Sequence, residues 1–156
     1  MQRPAPGANA PRPSGPVNPR PTPSPAWNHQ LRGAERDRSG EQWRSAHSGW
    51  DRDSRWSQNA NWWRGDRAFS QFNGVRAGFF FIPAYGYEAP PRAYARRNWS
   101  VGDNLPSWFW RYPVKHATRY GLPYPPQGCV WVWVNNDVAL IDRRDGYIIE
   151  LVRNVW

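Results

Sequence analysis

Between Cys129 and Val152 the chain reads "CVWVWVNNDVALIDRRDGYIIELV", three apolar runs separated by Asn135-Asn136 and by Arg143-Arg144-Asp145-Gly146. Alternating β-branched and aromatic residues suit a pleated strand, and the interruptions carry turn chemistry, so a three-stranded antiparallel meander is predicted. If Asn135-Asn136 is a type I′ turn, Val134 faces Asp137, Trp133 faces Val138 and Trp131 faces Leu140. The second turn sets Tyr147 opposite Asp142 and Ile149 opposite Leu140. One face then carries Trp131, Trp133, Val138, Leu140, Ile149 and Leu151. The other carries Val130, Val132, Ala139, Ile141 and Ile148, with Glu150 its only charge. Both faces are apolar, and a lone meander would leave one in water, so other parts of the chain must cover it. The aromatic residues upstream, Phe79, Phe81, Trp99, Trp108 and Phe109, are the expected cover.

The rest of the 156 residues limits where that cover can come from. Of the 17 prolines, most lie before Ala26, mixed with glycine, alanine and arginine, and neither helix nor ladder can propagate through them. From Ala26 to about Gly65 the chain turns to Arg, Asp, Ser, Asn and Gln with scattered tryptophans. Glu35 and Glu41 among arginines are compatible with helical patches near Arg32 to Ala46, but aliphatic partners for a core are nearly absent. "GVRAGFFFIPAYGY" (74–87) reads as a strand leading into an irregular connection, and "WSVGDNLPSWFW" (99–110) as a turn followed by one helical turn near Pro106. "RYPVKHA" could add a short strand. The expected architecture is α+β: a small antiparallel sheet, made of the C-terminal meander with one or two upstream strands and a short helix, behind a long disordered N-terminal tail. Its divisions are a tail over 1–65, an aromatic strand and linker over 66–98, and a C-terminal domain over 99–156. Residues 74–156 are expected to fold together.

Chemistry-bearing residues are sparse. Cys129 has no cysteine partner, begins a strand, and reads as a small buried group rather than a nucleophile paired with His116. An alignment of Gly146 to a calcium loop fails, because it puts Ile141 and Arg143 at ligand positions. No phosphate-binding loop or zinc spacing occurs, so no catalytic or cofactor-binding residue is assigned and the chain reads as non-enzymatic. His29, His47 and His116 are the weak candidates for a metal, here no more than a weak nickel or cobalt interaction. No apolar run approaches membrane-spanning length, and "MQRPAPGANAPRP" lacks the apolar core of a secretory signal.

The net charge is +9, spread along the chain: ten arginines against five acids over 1–65, and eleven bases against seven acids after it. Arginines interleaved with tryptophans in "GWDRDSRWSQNANWWRGDR" could stack on single-stranded nucleic acid, although Asp51, Asp53 and Asp66 in the same stretch would repel phosphates. Attraction to anionic cell-envelope polymer is a further alternative on the same charge.

"WSVGDNLP" and "YGLPYPPQGCVWVWVNNDVALIDRRDGYIIELV" together resemble the RcnB family of nickel/cobalt homeostasis proteins. Trp99, Gly102, Leu105 and Pro106 match its first element. Tyr120, Leu122, Pro125, Pro126 and Gly128 match the second, and Trp131, Val132, Val134, Asp137, Leu140, Asp142, Gly146 and Ile148 the third. The resemblance implies a periplasmic, non-enzymatic accessory protein acting beside a nickel/cobalt efflux system, with that system or envelope components as partners. The matched positions are turn, strand and core residues by the reading above.

Overall fold

The computed structural model describes residues 33–47 and 61–156. Its elements are helix α1 (Gly33–Ala46), strands β1 (Phe80–Ile82) and β2 (Gly86–Glu88), the one-turn helix α2 (Ser107–Trp110), and strands β3 (Cys129–Val134), β4 (Asp137–Asp142) and β5 (Ile148–Val152). Short 3-10 turns cover Trp62–Gly65, Arg67–Phe69 and Ala117–Tyr120. β1 and β2 form a hairpin, and β3-β4-β5 is the predicted antiparallel meander. The few helices and two small antiparallel sheets give the α+β architecture expected from the sequence. "RYPVKHA" contributes only a single bridge, Pro113 to Val132.

The first hairpin keeps the predicted register: Trp131 lies opposite Leu140, Trp133 opposite Val138 and Val134 opposite Asp137. Its turn is not type I′, however. Asn135 has φ +58, but Asn136 is not among the positive-φ residues, and type I′ needs both. Asn136 is held from outside the turn, its carbonyl accepting from Val155 N at 2.8 Å and its amide donating to Asn154 Oδ1 at 3.2 Å.

The second hairpin departs from the drawn register after one pair. Ile148 lies opposite Ile141 as expected, but a bulge then pairs Leu140 with Glu150, Ala139 with Leu151 and Val138 with Val152. Without the bulge Glu150 would point into the face around Val132. The extra residue turns Glu150 to the Leu140 face, where it stays buried and accepts from Leu151 N at 2.9 Å, and sends Leu151 into the Val132 face. The face assignments of Glu150 and Leu151 are thereby reversed from those read in the sequence.

Both faces are covered. Val132, Val134, Ala139, Ile141, Ile148 and Leu151 pack with Trp99, Leu105 and Phe109. Trp131, Trp133, Val138, Leu140, Ile149 and Val152 pack with Phe69, Phe81, Tyr112, Tyr120 and Leu122, and also with Trp43. The edges are closed too. Along β3, Val114 N donates to Trp131 O at 2.8 Å and Trp133 N to Tyr112 O at 2.9 Å. Along β5, Gly102 N donates to Ile148 O and Ile148 N to Asp103 O, both at 2.9 Å. Upstream segments thus take the backbone groups that would otherwise invite another strand.

Trp43 belongs to α1, inside the stretch read as tail. It is 3 % exposed, with its ring edge-on to Trp131 at 6.2 Å. α1 carries no apolar stripe. It docks through this one ring and through polar contacts, including Arg44 Nη1 to the Ile149 carbonyl at 2.6 Å, beside the bulge. Trp62, also from that stretch, donates from its indole to Val155 O at 3.0 Å and packs edge-on to Tyr120. The unit therefore starts upstream of residue 74. The remaining tail positions, 1–32 and 48–60, lie outside the described residues.

A fragment of residues 74–156 lacks Trp43, Trp62, Phe69 and Phe72, and is expected to melt well below residues 33–156 when the two are compared by thermal denaturation. Trp131→Ala removes a ring that is buried against Trp43 of α1 and hydrogen-bonded to Pro123 O at 2.9 Å. The expected loss is about 3–5 kcal/mol in chemical denaturation, the range for truncating a buried aromatic side chain.

Candidate functional site

The densest constellation of sequence-matched residues surrounds the β4–β5 turn. Asp142 ends β4 fully buried, accepting from Arg144 N at 2.9 Å and facing the Arg36 guanidinium at 3.7 Å. The same guanidinium reaches Asp145 at 2.5 Å and lies over the Tyr147 ring at 5.0 Å. The Tyr147 hydroxyl donates to Asp37. Burial, reinforced by that hydrogen bond, pushes the Tyr147 hydroxyl up to about 12, against the pull of Arg36 and Arg44. The first turns of α1 are thus fastened to the turn by charge.

From the other side the 102–110 segment clamps it. Leu105 N donates to Gly146 O at 2.8 Å, Asn104 Nδ2 to Asp145 O at 3.1 Å, and the Trp110 indole to Leu105 O at 2.7 Å. Gly146 sits at φ +75, and a Cβ there would stand 2.2 Å from Leu105 O and 2.7 Å from the Trp110 ring. Only glycine fits. Pro106 precedes α2 in extended conformation at its N-cap. Pro126 O accepts from Cys129 N at 3.0 Å, and Gly128 O from Arg143 N at 3.0 Å, joining the Pro125-Pro126 loop to this same end of the sheet. Asp137 accepts from Asn154 N at 2.8 Å and fastens the C-terminal end of the chain.

A second feature lies away from this junction, and nothing in the sequence reading had singled it out. A groove of about 780 Å³ opens between the 73–79 loop, the 90–96 segment and the Asn135-Asn136 turn. Phe72, Phe81, Tyr87 and Trp156 line it, and Arg76, Arg92 and Arg96 stand among its walls. No acidic residue lines it. Its only signal in the sequence was the arginine and glycine content of "NGVRAGFF", which becomes a site only when the hairpin folds back over Trp156.

Residues 102–150 match the RcnB family, described as a nickel/cobalt transporter regulator. That span is similar to the RcnB family over the meander and the segment that crosses it. No curated protein and no solved structure matches the chain. Every RcnB-motif position from Gly102 to Ile148 falls on the β3-β5 meander or on the segments wrapped around it, and Trp99, just before the matched span, is buried on the Val132 face.

Of the three histidines, two lie among the described residues, His47 and His116, and neither belongs there to a group of three or more metal-ligating side chains. His29 lies outside the described residues. His47 ends α1, stacks on Trp43 at 4.3 Å and donates from Nδ1 to the Trp43 carbonyl at 2.7 Å. His116 is exposed at φ +56. Among the described residues, no three His, Cys, Asp or Glu side chains come together in a way that could hold a metal ion. Nor is any helix among them long and apolar enough to cross a membrane.

Cys129 is buried in the core opposite Asp142. Burial, with the neighbouring Asp142 carboxylate adding to it and Arg143 opposing, pushes its thiol from 9.0 up to about 12. A thiol held protonated is a poor nucleophile, in keeping with the packing role read from the sequence. Folding therefore holds this proton more tightly than the unfolded chain does. The stability linked to it is complete below pH 9 and lost as pH rises towards 12. Tyr120 and Tyr147, likewise raised to about 12, add to the same loss only from about pH 10. Cys129→Ala is expected to flatten the decline in denaturation midpoint between pH 9 and 10, and the parent thiol should react with a disulfide reagent at neutral pH only as fast as the chain unfolds.

Proposed function

We propose that this protein is a non-enzymatic, periplasmic accessory protein of the RcnB type, acting with a metal efflux system to set intracellular nickel and cobalt. The observation that carries this reading is the family match over residues 102–150, whose motif residues form one interlocked structural unit. Those residues are occupied in holding the sheet, its edges and its turns, so the unit acts as a scaffold that presents surfaces. Regulation of a transporter by such a chain works through contact with the transport system or with other envelope components rather than through a reaction.

Intrinsic metal affinity is low on this reading, because replacing the hydration shell of nickel or cobalt takes several converging imidazole, thiolate or carboxylate ligands. Any weak binding resides with His29, His47 or His116. Deleting the gene is expected to change cellular nickel or cobalt content and tolerance, while calorimetry of the purified chain with Ni²⁺ and Co²⁺ at neutral pH gives only weak heats. Cell fractionation should recover the protein with periplasmic markers. Unchanged metal content in the deletion strain would sink the homeostasis role, and tight stoichiometric binding would overturn the scaffold reading.

A further inference from the structure

We infer that the groove beside the 73–79 loop is a docking site for anionic phospholipid at a membrane surface. This goes beyond the metal-homeostasis reading and does not depend on it.

The loop carries two large apolar residues in water, Val75 at 97 % and Phe79 at 47 % exposure. It holds a defined shape. The Tyr87 hydroxyl donates to Gly74 O at 2.6 Å and accepts from Asn73 N at 3.0 Å, while Arg76 lies over the Tyr87 ring at 3.9 Å and donates to Asn73 Oδ1 at 2.9 Å. Gly74 at φ +111 and Gly78 at φ +80 give the loop its two bends. Val75 is thus held out at the groove by a braced backbone.

The charge is one-sided. Arg76, Arg92 and Arg96 line the groove without an acid, and among the described residues Arg92 and Arg96 make no ion pair. An occupant must bring negative charge to the arginines and apolar surface to the floor and to the two protruding side chains. Anionic phospholipid offers both, in the arrangement that peripheral proteins use at the membrane interface.

Other occupants fit less well. Stacking nucleobases need open ring faces, but the floor rings are spent on one another: Phe72 meets Phe81 and Trp156 edge-on at 5.1 Å each, and Arg76 covers a face of Tyr87. The chain's own residues 1–32 carry four arginines and no acid, and a second copy would set arginine against arginine.

The test is co-sedimentation of the full chain with vesicles of phosphatidylglycerol and phosphatidylcholine in equal parts, and of phosphatidylcholine alone. Two exposed double variants accompany it, Arg92→Gln with Arg96→Gln and Val75→Ser with Phe79→Ser, each checked for an unchanged melt. Binding to the phosphatidylglycerol vesicles is expected to weaken about fivefold for each arginine neutralised. For the apolar pair the expected weakening is about tenfold, as for withdrawing partly buried side chains from hydrocarbon. Absence of binding to phosphatidylglycerol vesicles would overturn the proposal. Undiminished binding by the apolar pair would overturn it too, leaving only diffuse attraction to a basic chain. A loss confined to retention on a thymidine oligonucleotide, with vesicle binding unchanged, would reassign the groove to nucleic acid.

Discussion

The structure depends on one constraint, a three-stranded sheet that is apolar on both sides. In most antiparallel sheets one face meets water, and alternation along each strand separates the two environments. Here alternation separates two cores. Trp131, Trp133 and Leu140 belong to one, Val132, Ala139 and Ile141 to the other, and every other element is placed by the need to cover them. At roughly 1.5–3 kcal/mol for each large apolar side chain buried, this two-sided packing can stabilise a small unit without disulfide or metal. Its cost is that no single neighbour suffices. The hairpin β1-β2, α1 and the 3-10 turns serve one side, while Trp99, Leu105 and Phe109 serve the other.

The same constraint explains why the RcnB-matched residues gather around one turn. Covering the second face requires the 99–110 segment to cross the end of β5, and it does so by pairing Gly102 and Asp103 with Ile148 and Leu105 with Gly146. The crossing brings Leu105 O so close to Gly146 that no side chain is tolerated there. Asp142, buried at the same junction, gains its counter-charge from Arg36 of a helix more than a hundred residues earlier. A buried carboxylate left without such a partner would be strongly destabilising, so α1 and the turn stabilise each other.

The groove is built differently. It is lined by the 72–96 region, the Asn135-Asn136 turn and Trp156, and most of it lies outside the matched span 102–150. The shared scaffold therefore holds up a surface contributed by neighbouring sequence. The two readings of function occupy separate parts of the molecule: the accessory role rests on the family scaffold, and membrane docking on the arginine-lined groove.

The three meander strands, the first hairpin's register and the two-faced core followed from the sequence alone, because alternation of side chains and turn residues are local properties that survive into the fold. Cys129 as a packing residue was legible for the same reason. The bulge at Ile149-Glu150 was not, since one extra residue leaves no mark in the alternation and depends on how β5 packs between the two cores. β2, in a stretch that reads as an irregular connection, exists only by pairing with β1. α1 lies where the Glu/Arg spacing near Arg32 to Ala46 allows a helix, but its docking was not legible, because it lacks an apolar stripe and owes its place to Trp43, Arg36 and Arg44 finding partners on β3, the β4–β5 turn and β5. The groove arose from residues more than sixty positions apart, brought together when Trp156 packed against Phe72 and Phe81. Periodicity determined which residues of the meander are buried, but not that Phe79, expected among the cover, stays exposed or that Trp43 is buried. Tertiary contact decided what covers them and where the arginines converge, because alternation along a strand is set by neighbours in the chain, whereas cover and complementarity are set by neighbours in space.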